Sequence, residues 1–462
     1  MVGVKKPLIC AAVMAITAVC PAVAQTLTAS IDQAMQADPR IREAQSLMAA
    51  AEARLSGAQS GRMPLIRLRG QADYLSSETT SESDRVVAGV EIDEIFTTET
   101  DNERYQGAVD ARLELYAGGR IRGEIASAKA AAEAARAEIR QVELEIYRDV
   151  ADAYLETYVD QESFRLAEDS LSLSEQRLRR AQRQFDLGIL TRTDVLQADA
   201  RLAGARAALA DARGDLAISR YRYIELVGQA PEDLSLPTLS PPANVDQQSV
   251  VSTALSDAPL VEVAEHLEAA SSEAIRVARA QGRPNVALGA TYEYTDGTST
   301  LLDTREEFLV GVRVEVPLYS GGRVSALIRE AEALNQRDQE RLAQARRTIE
   351  RTAFEAFERY RQSLVAVDFA EEVVEANEAV AEGVRVESEN GIRTTLDLLN
   401  AERNLLDART NLLEAQKEAT LATIDVLLVL DCMPGRDISC AVGDVVMFED
   451  PAPDGADTTA AL

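Results

Sequence analysis

The chain of 462 residues is predicted to be mainly α-helical with a membrane β-barrel portion, and three observations carry that prediction. The sequence is written twice. Each copy holds a proline-free helical run far longer than a globular helix. Each copy also holds two stretches of about ten residues that alternate apolar and polar side chains, the length and period of a transmembrane β-strand.

The duplication comes first, because a missed repeat distorts every later reading. LYAGGR at 115–120 recurs as LYSGGR at 318–323, an offset of 203. The same offset places Gly188 on Gly391, Asp194 on Asp397, Leu196 on Leu399, Ala198 on Ala401 and Arg206 on Arg409. Upstream, Asp38-Pro39 and Pro64 match Ala258-Pro259 and Pro284 at an offset of 220. The first copy therefore carries 17 extra residues between Pro64 and Leu115, where Ser76 to Glu103 holds nine acids and one arginine. Length variation confined to one connection predicts a water-facing surface loop. The copies are expected over 25–235 and 236–431, followed by a cysteine loop and disordered tail over 432–462.

Residues 1–24 read as a secretory signal: Lys5 and Lys6, an apolar run from Leu8 to Val19, then Ala22-Val23-Ala24 as a cleavage site. Cys20 raises the alternative of a lipidated start, which Val19 before it disfavours. Nothing later reaches the ~20 apolar residues of a spanning helix. Of the 48 basic side chains, Lys5 and Lys6 leave with the signal, so 46 face 77 acidic ones, a formal charge of −31. Such a chain repels nucleic acid. Cys432 and Cys440 flank Pro434-Gly435, and an oxidising compartment favours a local disulfide there. Metal binding is the weaker alternative, since the single histidine, His266, lies in a distant helical stretch and reads as structural.

Within each copy the helices follow from composition. Ile121 to Leu187 and Val324 to Asn390 are rich in Ala, Glu, Arg and Leu, the strongest helix formers, and hold no proline. About 67 residues at ~1.5 Å each make a helix ~100 Å long. Val142, Ile146, Val150, Tyr154 and Tyr158 mark its coiled-coil-like apolar face. Gly188 and Gly391 turn the chain back, giving helical hairpins over 121–228 and 323–430. A further helix precedes each, roughly Ser30 to Ser60 and Val250 to Gln281. Stacked on the returning arm, it matches the long arm's length.

Strand pairs are expected at 62–75 with 104–116 and at 284–296 with 306–319. Phe308, Val310, Val312, Val314, Val316 and Leu318 share one face, with Gly311, Arg313 and Glu315 on the other. Ile66, Leu68, Ala72 and Tyr74 similarly oppose Arg67, Arg69, Gln71 and Asp73. A sheet packed on a protein core gives the same alternation. Three facts favour lipid instead: the signal without a helical anchor, the aromatics at the strand ends, and a charged face suited to a watery lumen. Lipid leaves no backbone group unpaired, so four strands must close with those of other copies, at least two copies in all. Tyr116 and Tyr319 would sit at the interface, and Gly118-Gly119 and Gly321-Gly322 would turn strand into helix. Arg120 and Arg323 oppose the helix dipole, so they face lipid phosphates, a nearby carboxylate or solvent.

The Ala37-Asp38-Pro39 element, both GGR joints and both G-x-x-x-x-x-D-[VL]-L-x-A turns make the chain resemble the TolC family of outer-membrane channel proteins along nearly all its mature length. The resemblance implies a trimer in which each protomer lends four strands to a shared twelve-stranded barrel, continuous with an α-barrel tunnel across the periplasm. It implies a passive exit duct in the outer membrane, opened at its periplasmic tip by an adaptor coupled to an inner-membrane ABC or RND pump. Type I protein secretion and small-molecule efflux are both open. No catalysis and no cofactor or metal are implied. By resemblance, Arg393 and Asp397 hold and line the closed mouth, Thr193 and Asp194 engage the arginine, and Asn400 stands where the family has an acid. Leu187-Gly188-Ile189 and Asn390-Gly391-Ile392 resemble adaptor-docking turns. The rivals are a periplasmic adaptor, which would carry one hairpin, and a coiled-coil scaffold, which would lack the strands.

Overall fold

The computed structural model describes residues 26–87, 90–237, 239, 246–299 and 302–431. The signal expected at 1–24 and the Cys432 and Cys440 loop lie outside the described residues. The described elements run α1 (Leu27–Ala37), α2 (Pro39–Ser60), β1 (Leu65–Val87), β2 (Val90–Ala117), α3 (Arg120–Asp186), α4 (Arg192–Val227), α5 (Gln247–Asp257), α6 (Pro259–Ala280), β3 (Asn285–Ser299), β4 (Leu302–Glu315), α7 (Arg323–Glu389) and α8 (Thr395–Val429). The second six repeat the first.

Three expectations are corrected. The helices expected to run unbroken from Ser30 to Ser60 and from Val250 to Gln281 are each two helices. Pro39 and Pro259 force the preceding residue out of the helical region, and Asp38 and Ala258 have ψ of 126° and 123°. Each proline then starts the next helix, where its missing N–H costs nothing; the Asp38 carboxylate adds a cap on Arg40 N at 2.8 Å. Next, the loop expected over Ser76 to Glu103 is strand in its described residues, Ser76 to Val87 and Val90 to Glu103. Strands β1 and β2 stay paired up to Val87 opposite Val90. A run holding Thr79, Thr80, Val86, Val87, Ile92, Ile95, Phe96, Thr97 and Thr98 has the β-branched and aromatic content of strands, and it continues a ladder already in register below. Finally, β4 stops at Glu315, short of 319, because its last pair is Asn285 with Glu315 and its outer edge has no partner among the described residues.

The sheet is an antiparallel meander in the order β1-β2-β3-β4. Its register sets like beside like. Leu68, Val109, Tyr292 and Phe308 form one row, Ile66, Ala111, Ala290 and Val310 the next, and Leu113, Leu288 and Val312 a third. The opposite face is charged and internally paired. Arg69 donates twice to Asp110 at 2.6 and 2.8 Å, Arg104 reaches Asp73 at 3.1 Å, and Arg112 reaches Glu114 at 2.7 Å. A bulge between Glu114 and Tyr116 shifts the alternation where β2 approaches the helix.

Below the sheet, α3 packs against α2 on one flank and α6 on the other, and α6 packs against α7. Further down the order is α4, α3, α8, α7. Helices α3 and α7 have 67 residues each, so both are ~100 Å long. Where the shorter helices meet, α1 fills a core of Leu27, Ile31, Tyr147, Val150, Tyr154, Tyr223 and Ile424. Ser30 and Tyr223 share a buried hydrogen bond of 2.7 Å there. The second copy replaces that polar pair by Val250 and Val426, both buried with Ala353 and Phe357. The repeat is thus kept in shape while its chemistry drifts.

Candidate functional site

Two places carry the chemistry: the hairpin tips and the open sheet. At the first tip α3 ends in a paired reversal in which Gly188 N–H donates to Phe185 O at 2.8 Å and Ile189 N–H to Gln184 O at 2.9 Å. This closure needs a left-handed residue, and Gly188 has φ of 74°. Gly391, also at 74°, repeats it with Ile392 N–H on Glu387 O at 2.9 Å. Asn390 adds a side-chain bond to Val386 O at 2.8 Å. Leu187, Ile189 and Ile392 are left well exposed beside these glycines. Apolar side chains held outward on a rigid turn suit a docking contact rather than a core.

The returning helices begin with reciprocal caps. Asp194 carboxylate accepts from Thr191 N and Oγ1 at 2.9 and 2.7 Å while Thr191 Oγ1 accepts from Asp194 N at 3.3 Å. Thr394 and Asp397 repeat the arrangement at 3.1, 2.8 and 3.2 Å. The Thr394 hydroxyl holds the Asp397 carboxyl below the usual carboxylate range, with Arg393 adding to the effect. Thr191 and Thr394 were missed in the sequence, although their three-residue spacing to an acid is a capping signature. The aspartates therefore have a helix-starting role besides any role at a pore axis.

The expected link from Arg393 to Asp194 is not made within the chain. Arg393 Nε donates to Glu387 Oε2 at 2.9 Å, and Asp194 is held by Thr191. Thr193 and Asn400 are exposed. The two hairpins are tied instead along the seam of α3 and α8. Arg177 pairs with Glu402, with only 15% and 19% of their side chains exposed; Arg148 pairs with Asp425 at 3.0 Å and Lys417 with Glu156, and beside that seam Arg201 of α4 donates to Leu399 O at 3.0 Å. Burial pushes the Asp425 carboxyl up, partly offset by Arg148.

At the strand-helix joints, Gly118 and Gly119 have φ of 62° and 95°, and Gly321 and Gly322 have 60° and 85°. Arg120 lies on Glu124 at 2.9 Å, the nearby-carboxylate alternative; Arg323 is exposed. Tyr116 and Tyr319 are exposed at the base of the apolar rows. Phe308 is 72% and Val312 61% exposed on the sheet's apolar face. No described helix is long and apolar enough to cross a membrane. His266 sits half-buried on α6, 3.7 Å from Glu262. Among the described residues no cluster of His, Cys, Asp or Glu could hold a metal.

An unpacked apolar sheet face backed by a charged face, mounted on a wall of long helices, defines an outer-membrane channel subunit. The family model for outer membrane efflux proteins matches residues 30–229 and 250–430, and the chain belongs to that family. Its two matched blocks fall on the two copies.

The chain is 27% identical to the outer membrane efflux protein BepC of Brucella suis over 337 residues, 70% of this chain and 72% of that one. It is 23% identical to the outer membrane protein TolC of Vibrio cholerae, covering 90% and 92%. It is 29% identical to the alkaline protease secretion protein AprF of Pseudomonas aeruginosa, covering 66% and 65%. Among solved structures, the outer-membrane channel OprN matches with a TM-score of 0.71 and 25% identity over 87% of this chain and 89% of that one. CusC, at 18% identity, a TM-score of 0.74 and coverage of 88% and 92%, shares the fold. The protein is thus an outer-membrane channel of the efflux and secretion class, and the family's members are channels rather than enzymes.

Proposed function

We propose that three copies close into one twelve-stranded barrel and one helical tunnel, a passive duct that receives cargo from an inner-membrane ABC or RND pump through a periplasmic adaptor. The observation that carries this reading is the pair of unpartnered flanks. Strands β1 and β4 end the sheet, α2 and α7 end the upper helical layer, and α4 and α7 end the lower one. One flank is therefore β1, α2 and α4, and the other β4 and α7. An open edge in lipid costs several kcal/mol per unpaired backbone group, on the order of the estimates for apolar transfer. Joining one flank to the other in a ring removes every edge.

In that ring the mouth lies at the hairpin tips. The tip of α7 and α8 stands next to the neighbouring copy's α4, so Arg393 faces the neighbouring copy's Thr193 and Asp194. A latch between copies accounts for its absence within one chain. Asp397 from each copy, kept ionised by its cap, focuses a negative field at the constriction and favours cations. An adaptor docking on Leu187, Ile189 and Ile392 would splay the hairpins. Type I protein secretion and small-molecule efflux both fit a passive duct of this kind. Single-channel recording in planar bilayers tests the gate. Arg393→Ala is expected to raise conductance severalfold, by the loss of a charge-assisted bond per copy. Conductance and ion selectivity unchanged in both Arg393→Ala and Asp397→Asn would remove the gate assignment.

A further inference from the structure

We infer, resting on the ring proposed above, that neighbouring copies join in one defined register, with Glu315 of β4 opposite the neighbouring copy's Arg69 and Ala326 of α7 against the neighbouring copy's Gly57. The derivation uses the seam that the chain already contains between its own two halves. Strand β2 of the first half pairs with β3 of the second, and α3 packs on α6. The open flanks are the same elements with the halves exchanged: β4 corresponds to β2, β1 to β3, α7 to α3 and α2 to α6.

The correspondence holds residue by residue. Leu65 pairs with Arg112 in the first hairpin, and shifting them by 220 and 203 gives Asn285 with Glu315, the pair found in the second. The internal seam pairs Arg112 with Gly289, Ala111 with Ala290, Val109 with Tyr292 and Leu113 with Leu288. Transferred to the open flanks, these become Glu315 with Arg69, Val314 with Gly70, Val312 with Ala72 and Val316 with Leu68.

Three features of the open flanks, none of them used to find that register, agree with it. Glu315 and Arg69 are opposite charges directly across two antiparallel strands on the charged face, an arrangement that stabilises a sheet, whereas like charges there destabilise it. The other transferred pairs set apolar or small residues together on the lipid face. The second feature lies in the helices. A Cβ added at Gly123 of α3 would meet Val277 Cγ2 of α6 at 2.9 Å, so that approach requires glycine. The transferred pair is Ala326 with Gly57: the small residue has moved to the other helix. In the single chain a Cβ at Gly57 meets nothing within 4 Å, and a glycine inside a helix is otherwise disfavoured. The third is at the joints. A Cβ on Gly118 would meet Arg283 Cβ at 2.6 Å, whereas one on Gly321, its counterpart, meets nothing within 4 Å. The exposed Met63, 220 positions before Arg283, is what the ring brings there. Strand β2 reaches Ala117 because β3 supports it, and β4 stops at Glu315 because its support belongs to the next copy.

Paired cysteines in a Cys432→Ser, Cys440→Ser full-length background test the register in isolated outer membranes. Arg69→Cys with Glu315→Cys, and independently Gly57→Cys with Ala326→Cys, are expected to give disulfide-linked species of two and three chains on non-reducing gels. Gln71→Cys with Glu315→Cys sets the cysteines two residues out of step. Their Cα atoms are then ~8 Å apart, beyond disulfide reach, and cross-linking is expected to fall about tenfold. Cross-linking of the stepped pair equal to or above that of Arg69→Cys with Glu315→Cys overturns the register. A trimeric mass in detergent with neither matched pair cross-linking overturns the register and leaves the ring standing. A single-chain mass overturns the ring and the register with it.

Discussion

Placing an arginine at Val312 measures what the apolar sheet face touches. Val312 lies four residues inside Phe308, so at ~3.3 Å per residue and a strand tilt of ~40° it sits ~10 Å below that aromatic position, near the middle of a ~25 Å apolar band. An arginine on the lipid face near the midplane costs ~2–4 kcal/mol. At ~1.4 kcal/mol per decade, that lowers the folded-to-unfolded ratio about 30- to 700-fold per copy. Gly311→Arg is the matched control, one residue along and on the charged face, where a Cβ meets nothing within 4 Å; its expected cost is close to zero. Urea titration of each variant folded into lipid vesicles, followed by far-ultraviolet circular dichroism and by migration of unboiled samples, gives both values. Equal costs for Val312→Arg and Gly311→Arg would refute the assignment of the two faces.

Three further outcomes are expected. Thr394→Ala removes one side of a reciprocal cap, at ~1 kcal/mol, so amide exchange over the first turn of α8 should quicken about fivefold by the same principle, with global unfolding little changed. The Asp397 carboxyl lies below its ordinary 3.8; a depressed folded value means that its charge and any stability it confers are present above about 3.8 and are lost as pH falls through the lower folded value. Cation preference, read as reversal potential across a salt gradient, should stay level from pH 7 to about pH 4 and be reduced throughout that range in Asp397→Asn; a titration centred near pH 6 would contradict this. Tyr223→Phe should cost ~1 kcal/mol through the loss of the Ser30 hydrogen bond, whereas Tyr223→Ala, which empties the space of a fully buried ring beside Tyr154, should cost ~3–5 kcal/mol in thermal unfolding.

The repeat, the long helices and the two sheet faces were legible because each is a periodicity that survives drift in individual residues. Period two placed Ile66, Leu68, Val310 and Val312 on one face, and the register set them side by side. The breaks at Pro39 and Pro259 are written in the sequence too, because proline bars the residue before it from the helical region. The ladder through Ser76 to Glu103 was not legible from polarity, because serine and threonine serve loops and strands alike and the pairing below decides between them. At the tips, Gly188 and Gly391 stood out through their turn geometry, whereas the Thr191 and Thr394 caps lay in a spacing read only for its acids. The contact of Arg393 with Glu387 could not be read at all, since it depends on where a helix end points rather than on a pattern.

The mass of the unmutated protein, extracted from outer membranes in mild detergent and measured by light scattering corrected for bound detergent, bears most directly on the idea that one chain holds only a third of a barrel. Three chains in one particle is the expected result. A folded single chain, stable in water without detergent, would contradict it.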